Sequence, residues 1–277
     1  MESQMSTATP ARHPSTDGAG VETAVRVDGV TVRFPDPAGG TKTVLRDLDL
    51  TIERGQFTAL VGRSGCGKTT LLNLVAGVVE ASEGSVSVLG RSPRAARSEL
   101  GFMLARDALL PWRSAQRNVE YGLELRGMAK AQRNETARRW LSAVHLGDAA
   151  KLWPWQLSQG MRQRVALART WALDPEVLLM DEPFAALDAH TRVAVQAEFL
   201  RLWQSERSRT VVFVTHDLGE AITLADRIIL LSDGDIVDDV TVGIPRPRDN
   251  EAIVEHPRFI ELHRDLREQL KAGEPLA

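Results

Sequence analysis

From Ala24 to Phe34 apolar residues (Val25, Val27, Val30, Val32, Phe34) punctuate polar ones, the period of a half-buried strand. A turn-rich segment, Pro35 to Gly40, follows, and Leu45, Leu48, Leu50 and Ile52 predict a second strand over Val44 to Ile52. Glu53-Arg54-Gly55 turns the chain into a mostly apolar run, Phe57 to Val61. Beyond it Leu71, Leu72, Leu74, Val75 and Val78 share one side of a helical pattern. Short strands are expected at Ser85 to Leu89 and at Leu100 to Leu104. The pattern then changes. Ser114 to Gln159 is rich in Ala, Arg, Glu and Leu and poor in β-branched residues, which predicts a helical lobe inserted at about residues 106–160. Arg162 to Trp171 reads as a helix returning to the core, and Val177 to Met180 as a buried parallel strand. A helix over Ala189 to Gln204, a strand over Thr210 to Val214 and a hairpin formed by Ile228 to Leu231 and Asp235 to Val240 follow. Pro245 to Pro247 breaks the chain, and Phe259 to Leu270 predicts an amphipathic helix. This order implies a layered α/β core, antiparallel early and parallel later.

Composition narrows the class without choosing a chemistry. The chain has 277 residues, 43% hydrophobic and 26% charged, with no apolar run long enough to cross a bilayer. A net charge of −3 argues against a nucleic-acid partner. The single cysteine, Cys66, excludes an intrachain disulfide and a cysteine zinc cluster and suits a reducing compartment. Residues 1–22, rich in Ser, Thr, Ala, Pro and Gly near the start, read as a disordered tail without the apolar core of a signal peptide. A cytoplasmic location is expected. Trp112, Trp140, Trp153 and Trp155 lie in or beside the helical lobe, and packing is the favoured reading over ligand stacking.

The chemistry begins at Gly62-Arg63-Ser64-Gly65-Cys66-Gly67-Lys68-Thr69, which fits the phosphate-loop pattern G-x-x-x-x-G-K-[ST] between a strand and a helix. Its glycines let the backbone turn N–H groups toward a phosphate chain, and the helix that starts near Lys68 adds free N–H groups and its positive dipole end. Lys68 is expected on the β- and γ-phosphates, the Thr69 hydroxyl on Mg²⁺, and Thr70 beside the nucleotide. Cys66 reads as a small residue presenting its N–H. Asp181 ends an apolar strand, where a carboxylate would stand beside the same Mg²⁺. Glu182, one residue on, is the candidate general base for attack of water on the γ-phosphate. His216 ends a later strand; it is either a polar cap or a donor to the γ-phosphate.

Leu157-Ser158-Gln159-Gly160-Met161-Arg162-Gln163-Arg164 opens a helix 23 residues before Asp181, with Ser158 as a good N-cap. With these residues in this order, joined by Ala185-Ala186-Leu187-Asp188, the chain resembles the ATP-binding cassettes over about residues 24–240. The resemblance implies a phosphate-loop NTPase core of cassette type over 23–243, with an antiparallel β-subdomain and the inserted helical subdomain, and a helical extension over 244–277. It implies that Ser158, Gln159 and Gly160 bind the γ-phosphate of ATP held by a second subunit, and that Asp188 communicates across that interface. One phosphate loop and one signature then imply an ATP-dependent homodimer. Phe34 matches the aromatic that stacks on adenine; the alternative is a buried strand residue.

Ala108-Leu109-Leu110-Pro111-Trp112-Arg113, Met161 and Pro245-Arg246-Pro247-Arg248 are similar to segments of nitrate, sulfonate and taurine importer ATPases. That narrower resemblance implies import of a small solute, permease subunits whose cytoplasmic helix docks near Leu109 to Trp112, a periplasmic or lipid-anchored binding protein, and a place on the inner face of the cell membrane. Core packing of Leu109 to Trp112, and a simple linker at Pro245 to Arg248, are the alternatives. Two positions depart from the family. Ala105 stands where Gln is usual, which predicts altered coupling to the permease, with Arg106 as a neighbouring phosphate contact. Gln159 replaces the first signature glycine. A nucleotide-gated switch with weak hydrolysis, or a cassette ATPase acting outside transport, are the runner-up readings.

Overall fold

The computed structural model describes residues 22–37, 39–104, 107–205, 209–248 and 252–272. Most of the expected tail, together with Ala105 and Arg106, lies outside the described residues. Strands β1 (Thr23–Pro35) and β2 (Thr41–Glu53) pair antiparallel, and β4 (Glu83–Val88) adds to the other edge of β1. The second sheet has six strands in the order β5-β6-β7-β3-β8-β9: β5 (Leu100–Met103), β6 (Val177–Asp181), β7 (Thr210–Thr215), β3 (Phe57–Gly62), β8 (Arg227–Ser232) and β9 (Asp235–Thr241). All its neighbours are parallel except the β8–β9 hairpin.

The apolar runs are continuous because both faces of this sheet are covered. On one face Leu60, Leu179, Val212, Val214 and Ile229 meet helix α1 (Lys68–Val75) and the three-stranded sheet. On the other, Phe57, Met180, Phe213 and Ile228 meet α4 (Gln159–Trp171), α5 (Ala189–Ser205) and α6 (Leu218–Leu224). Helices α2 (Ala115–Leu125) and α3 (Lys130–Ala143) join this second core through Val119, Leu123, Trp140 and Leu141. Helix α7 (Pro257–Ala272) joins it through Phe259, Leu262 and Leu266.

Three expectations are corrected. Helix α1 ends at Val75, and Val78, past the turn at Gly77, is exposed rather than on the helix face. Helix α6 was not expected, because seven residues carry too little periodicity to be read. Of the four tryptophans assigned to packing, only Trp140 is buried; Trp112 is 69% exposed, and Trp153 and Trp155 stack on each other at 5.1 Å on the surface.

The second core is anchored on aromatic edges. Phe199 of α5 meets Phe57 at 5.7 Å, Trp171 at 5.1 Å and Phe184 at 6.2 Å between ring centres. Truncating it removes contacts from three elements at once. Phe199→Ala is expected to cost about 3–5 kcal/mol, measured as a lower denaturant midpoint at unchanged slope.

Candidate nucleotide site

The carboxyl ends of β6, β7 and β3 lie side by side, the place where open parallel sheets bind ligands. The β3 end runs into the loop Gly62 to Gly67. Gly67 has φ 110° and Gly65 φ 85°, and a Cβ on Gly67 would lie 2.6 Å from Leu45 Cδ2 of β2. The loop can therefore pass under β2 only as glycine. Lys68, buried, donates from Nζ to Gly62 O (2.7 Å) and Arg63 O (2.8 Å), and the Cys66 sulfur lies 3.9 Å away. A cleft of about 140 Å³ opens above, lined by Val44, Ser64, Gly65, Gly67, Lys68, Thr69, Thr70 and Glu182.

Thr69 Oγ1 lies 3.1 Å from Asp181 Oδ1, so α1 and β6 bring a hydroxyl and a carboxylate oxygen together. These are hard oxygen donors of the kind Mg²⁺ takes, with room left for water and phosphate. Burial raises the Asp181 pKa; the Thr69 hydrogen bond opposes this, the Glu182 charge adds to it, and Lys68 opposes it. A cation at that oxygen would reverse the balance. Glu182 is held at φ 44°, rare for a residue with a side chain, by a bond from its N–H to Val214 O (3.0 Å). Its carboxylate reaches the cleft, and Oε2 lies 3.2 Å from His216 Nδ1. One carboxylate next to an imidazole at a phosphate loop can accept a proton from water while the ring donates elsewhere.

Ser158, Gln159, Gly160, Asp188 and Phe34 do not line this cleft. Ser158 caps α4, its Oγ accepting from Met161 N (3.2 Å). Ser158 and Gln159 are exposed, so the Gln159 side chain stands in solvent. Gly160 is buried against α5: a Cβ there would lie 2.3 Å from Thr191 Cγ2. Asp188 caps α5 through Thr191 N (3.0 Å), and that bond lowers its pKa. Phe34 pairs with Lys42, two residues along β2 from Val44, and is 37% exposed, so the buried-strand alternative does not hold.

Several residues that pattern alone did not reveal tie these parts together. Buried Gln163 of α4 donates from Nε2 to Pro183 O, linking the signature helix to the turn after Glu182. Arg192 of α5 donates to Leu187 O (3.0 Å) and lies 3.8 Å from Asp217 and 3.7 Å from Glu220. Glu220, buried, accepts from Thr215 Oγ1 (2.7 Å) and Gln196 Nε2 (2.9 Å). Burial raises its pKa; the bond from Thr215 opposes this, Asp217 adds to it, and Arg192 and His216 oppose it. A polar residue among apolar ones on a helix face was the available signal for Gln163; the partners of Arg192 and Glu220 left none.

Known proteins resemble this chain in sequence and in fold. A family model described as ABC transporter matches residues 45–185. An uncharacterized ABC transporter ATP-binding protein of Methanocaldococcus jannaschii is 41% identical over 249 residues, 89% of this chain and 91% of its own. The taurine import ATP-binding protein TauB of Escherichia coli K12 is 47% identical over 195 residues, 70% of this chain and 76% of its own. Among solved structures, the dimeric post-hydrolysis state of the ATP-binding cassette MJ0796 bound to ADP and Pi superimposes with a TM-score of 0.72 at 30% identity, covering 80% of this chain and all of that one. The chain belongs to the ABC transporter family. It is an ATP-binding subunit of that family and an ATPase.

Two outcomes follow from these contacts. Gly160→Ala is expected to lose about 1–3 kcal/mol of stability by overpacking, and Thr191→Ser, which removes the opposing methyl, should return most of it in the double variant. Glu220 has a folded-state pKa above its ordinary 4.5, so the folded chain holds that proton more tightly than the unfolded one. Stability from this group is therefore greatest below pH 4.5 and declines as pH rises through the raised value. The melting temperature of Glu220→Gln relative to the parent should climb across that window and level off above it.

Proposed function

We propose that this chain is the ATP-hydrolysing subunit of an importer for a small solute, working as a homodimer that closes on ATP and reopens after hydrolysis. One observation carries the dimer. Lys68, Thr69 and Glu182 line one cleft, with Asp181 against Thr69 and His216 against Glu182, while Ser158, Gln159 and Gly160 of the same chain do not line it. A helix N-terminus with an exposed serine is an anion site, and a second copy would supply the phosphate. The dimeric cassette with ADP and Pi is a precedent for that arrangement.

In this reading residues 23–243 are the cassette. The loop amides from Gly62 to Thr70, including those of Arg63, Ser64 and Cys66, cradle the phosphates, and Lys68 neutralises them. Phe34 stacks on adenine. Thr69 and Asp181 would hold Mg²⁺, which supplies charge neutralisation on the β- and γ-phosphate oxygens. Glu182 takes the proton from the attacking water, and His216 donates to a γ-phosphate oxygen and orients that carboxylate. Asp188, at the cap of α5, carries the state of one site toward the other.

The importer reading rests on TauB, a taurine import ATP-binding protein, and on the loop before α2. There the Asn118 side chain accepts from Leu110 N (2.7 Å) and donates to Leu110 O, Arg113 O and Ser114 O. This buried clamp sets Leu109 inward and Trp112 outward, so the packing alternative fails for Trp112. A rigid exposed tryptophan suits an apolar helix of a permease. No helix among the described residues is long and apolar enough to cross a membrane. The permease would hold the chain at the inner membrane face, and a binding protein outside would select the solute.

The test is Mg²⁺-dependent ATPase activity against protein concentration, with Glu182→Gln as the control. Specific activity should rise with concentration as dimers form. The variant should bind ATP while turnover falls about 10²–10⁴-fold. Turnover that is independent of concentration, or that persists in Glu182→Gln, would overturn the reading.

A further inference from the structure

Helix α6 begins one residue after His216 and Asp217 and has only seven residues. A helix of two turns does not hold itself in water. At its N-terminus Asp217 Oδ1 accepts from Glu220 N (3.1 Å). At its C-terminus the last four carbonyls have no partner within the helix. Two arginines from outside it meet them. Arg248 Nη1 reaches Ile222 O (2.9 Å), Thr223 O (3.3 Å) and Ala225 O (2.6 Å), and Arg246 Nη2 reaches Leu224 O (2.5 Å). Four successive carbonyls thus lie within hydrogen-bond reach of two guanidiniums, the two N–H groups of Arg248 Nη1 being shared among three of them, at the end where the helix dipole favours a cation.

The same arginines are locked in turn. Arg248, with 2% of its side chain exposed, also donates to Ile244 O from Nε (3.0 Å) and Nη2 (2.8 Å). Arg246 binds Asp226 (2.9 Å) and lies over the Trp203 ring at 4.7 Å. Burial, and then the neighbouring Arg246, lower the Arg248 pKa to about 10, opposed by Asp226. Farther on, Phe259 of α7 packs 3.9 Å from the position a Cβ would take on Gly219 of α6. A linker would leave such arginines in solvent; here their charge is buried, held on backbone carbonyls and Asp226, with Arg246 Nη1 left buried and without a hydrogen-bond partner among the described residues.

We propose that Arg246 and Arg248 are positioning residues for hydrolysis: by closing the C-terminal end of α6 they hold the helix whose other end presents His216 to the γ-phosphate. The Pro245-Arg246-Pro247-Arg248 segment is then part of the hydrolytic machinery rather than a linker after it. This inference rests on the role given to His216 above. Arg246 also meets Asp226, which accepts from Phe57 N (3.2 Å) at the start of β3, whereas the hydrogen bonds of Arg248 go to α6, Ala225 and Ile244, so nucleotide affinity should survive the loss of Arg248.

The experiment is a double-mutant cycle in the full chain, with ATP binding measured by equilibrium dialysis as the check on folding. Arg248→Ala is expected to lower kcat roughly 10–100-fold, the scale of a displaced catalytic group, with little change in KM. Arg248→Lys, which keeps the charge but lacks the planar fork, should fall between. In His216→Ala the further change Arg248→Ala should cost nothing more, because there is no imidazole left to place. A merely structural role would multiply the two losses. Parent-like kcat in Arg248→Ala, or multiplied losses, overturns the inference alone. An unaffected kcat in His216→Ala overturns the role of the histidine, and the inference with it. Should Arg248→Ala not bind ATP, Arg248→Lys replaces it in the same cycle.

Discussion

Parallel pairing of β6, β7 and β3 decides which side chains can meet at the sheet edge. Val61 lies opposite Thr215, and Asp181 opposite Val214. Because side chains alternate, a slip of one residue in β6 would turn Asp181 to the other face of the sheet and part it from Thr69. The hydrogen bond between those two side chains spans 112 residues of sequence. It exists because backbone ladders, buried on both faces, hold three strand ends in step.

The polar groups at that edge are individually costly. Lys68 is buried, the Asp181 carboxyl is desolvated, and Glu182 sits in a left-handed backbone conformation. Each is tolerated because the packed layers beneath leave no alternative: Phe184, fully buried, pins the turn that follows Glu182. A site assembled this way is preorganised for charge developing on a phosphate. The α4 N-terminus offers Ser158 to solvent, and Ser158 does not line the cleft above the phosphate loop.

Polar side chains join elements that the apolar core alone leaves loosely related. Gln163 ties α4 to the turn after Glu182, Arg192 ties the Leu187-Asp188 turn to the start of α6, and Arg246 and Arg248 tie the end of α6 to the segment beyond β9. Apart from the ion pair of Arg192 with Asp217, each bond satisfies a backbone carbonyl at a turn or a helix end.

Local pattern determined the elements and the kind of chemistry. The alternation of Val25, Val27, Val30 and Val32, the buried run Val177 to Met180 and the phosphate-loop spacing are all local, because strand period, two-sided burial and tight turns act over a few residues. Asp181 and Glu182 were legible for the same reason, as polar residues that end an apolar strand. Helix α6 was not legible, nor was the outward aim of Trp112, since both depend on partners far away in the chain: Arg246 and Arg248 for the helix, Asn118 for the loop. Tertiary structure alone decided that Gly160 must lack a side chain against Thr191, that Ser158 does not line the cleft of its own chain, and that a proline-arginine segment caps a helix. Sequence carries the propensities and motifs of neighbouring residues; which carbonyl, methyl or carboxylate each side chain finally meets is set only when distant strands come into register.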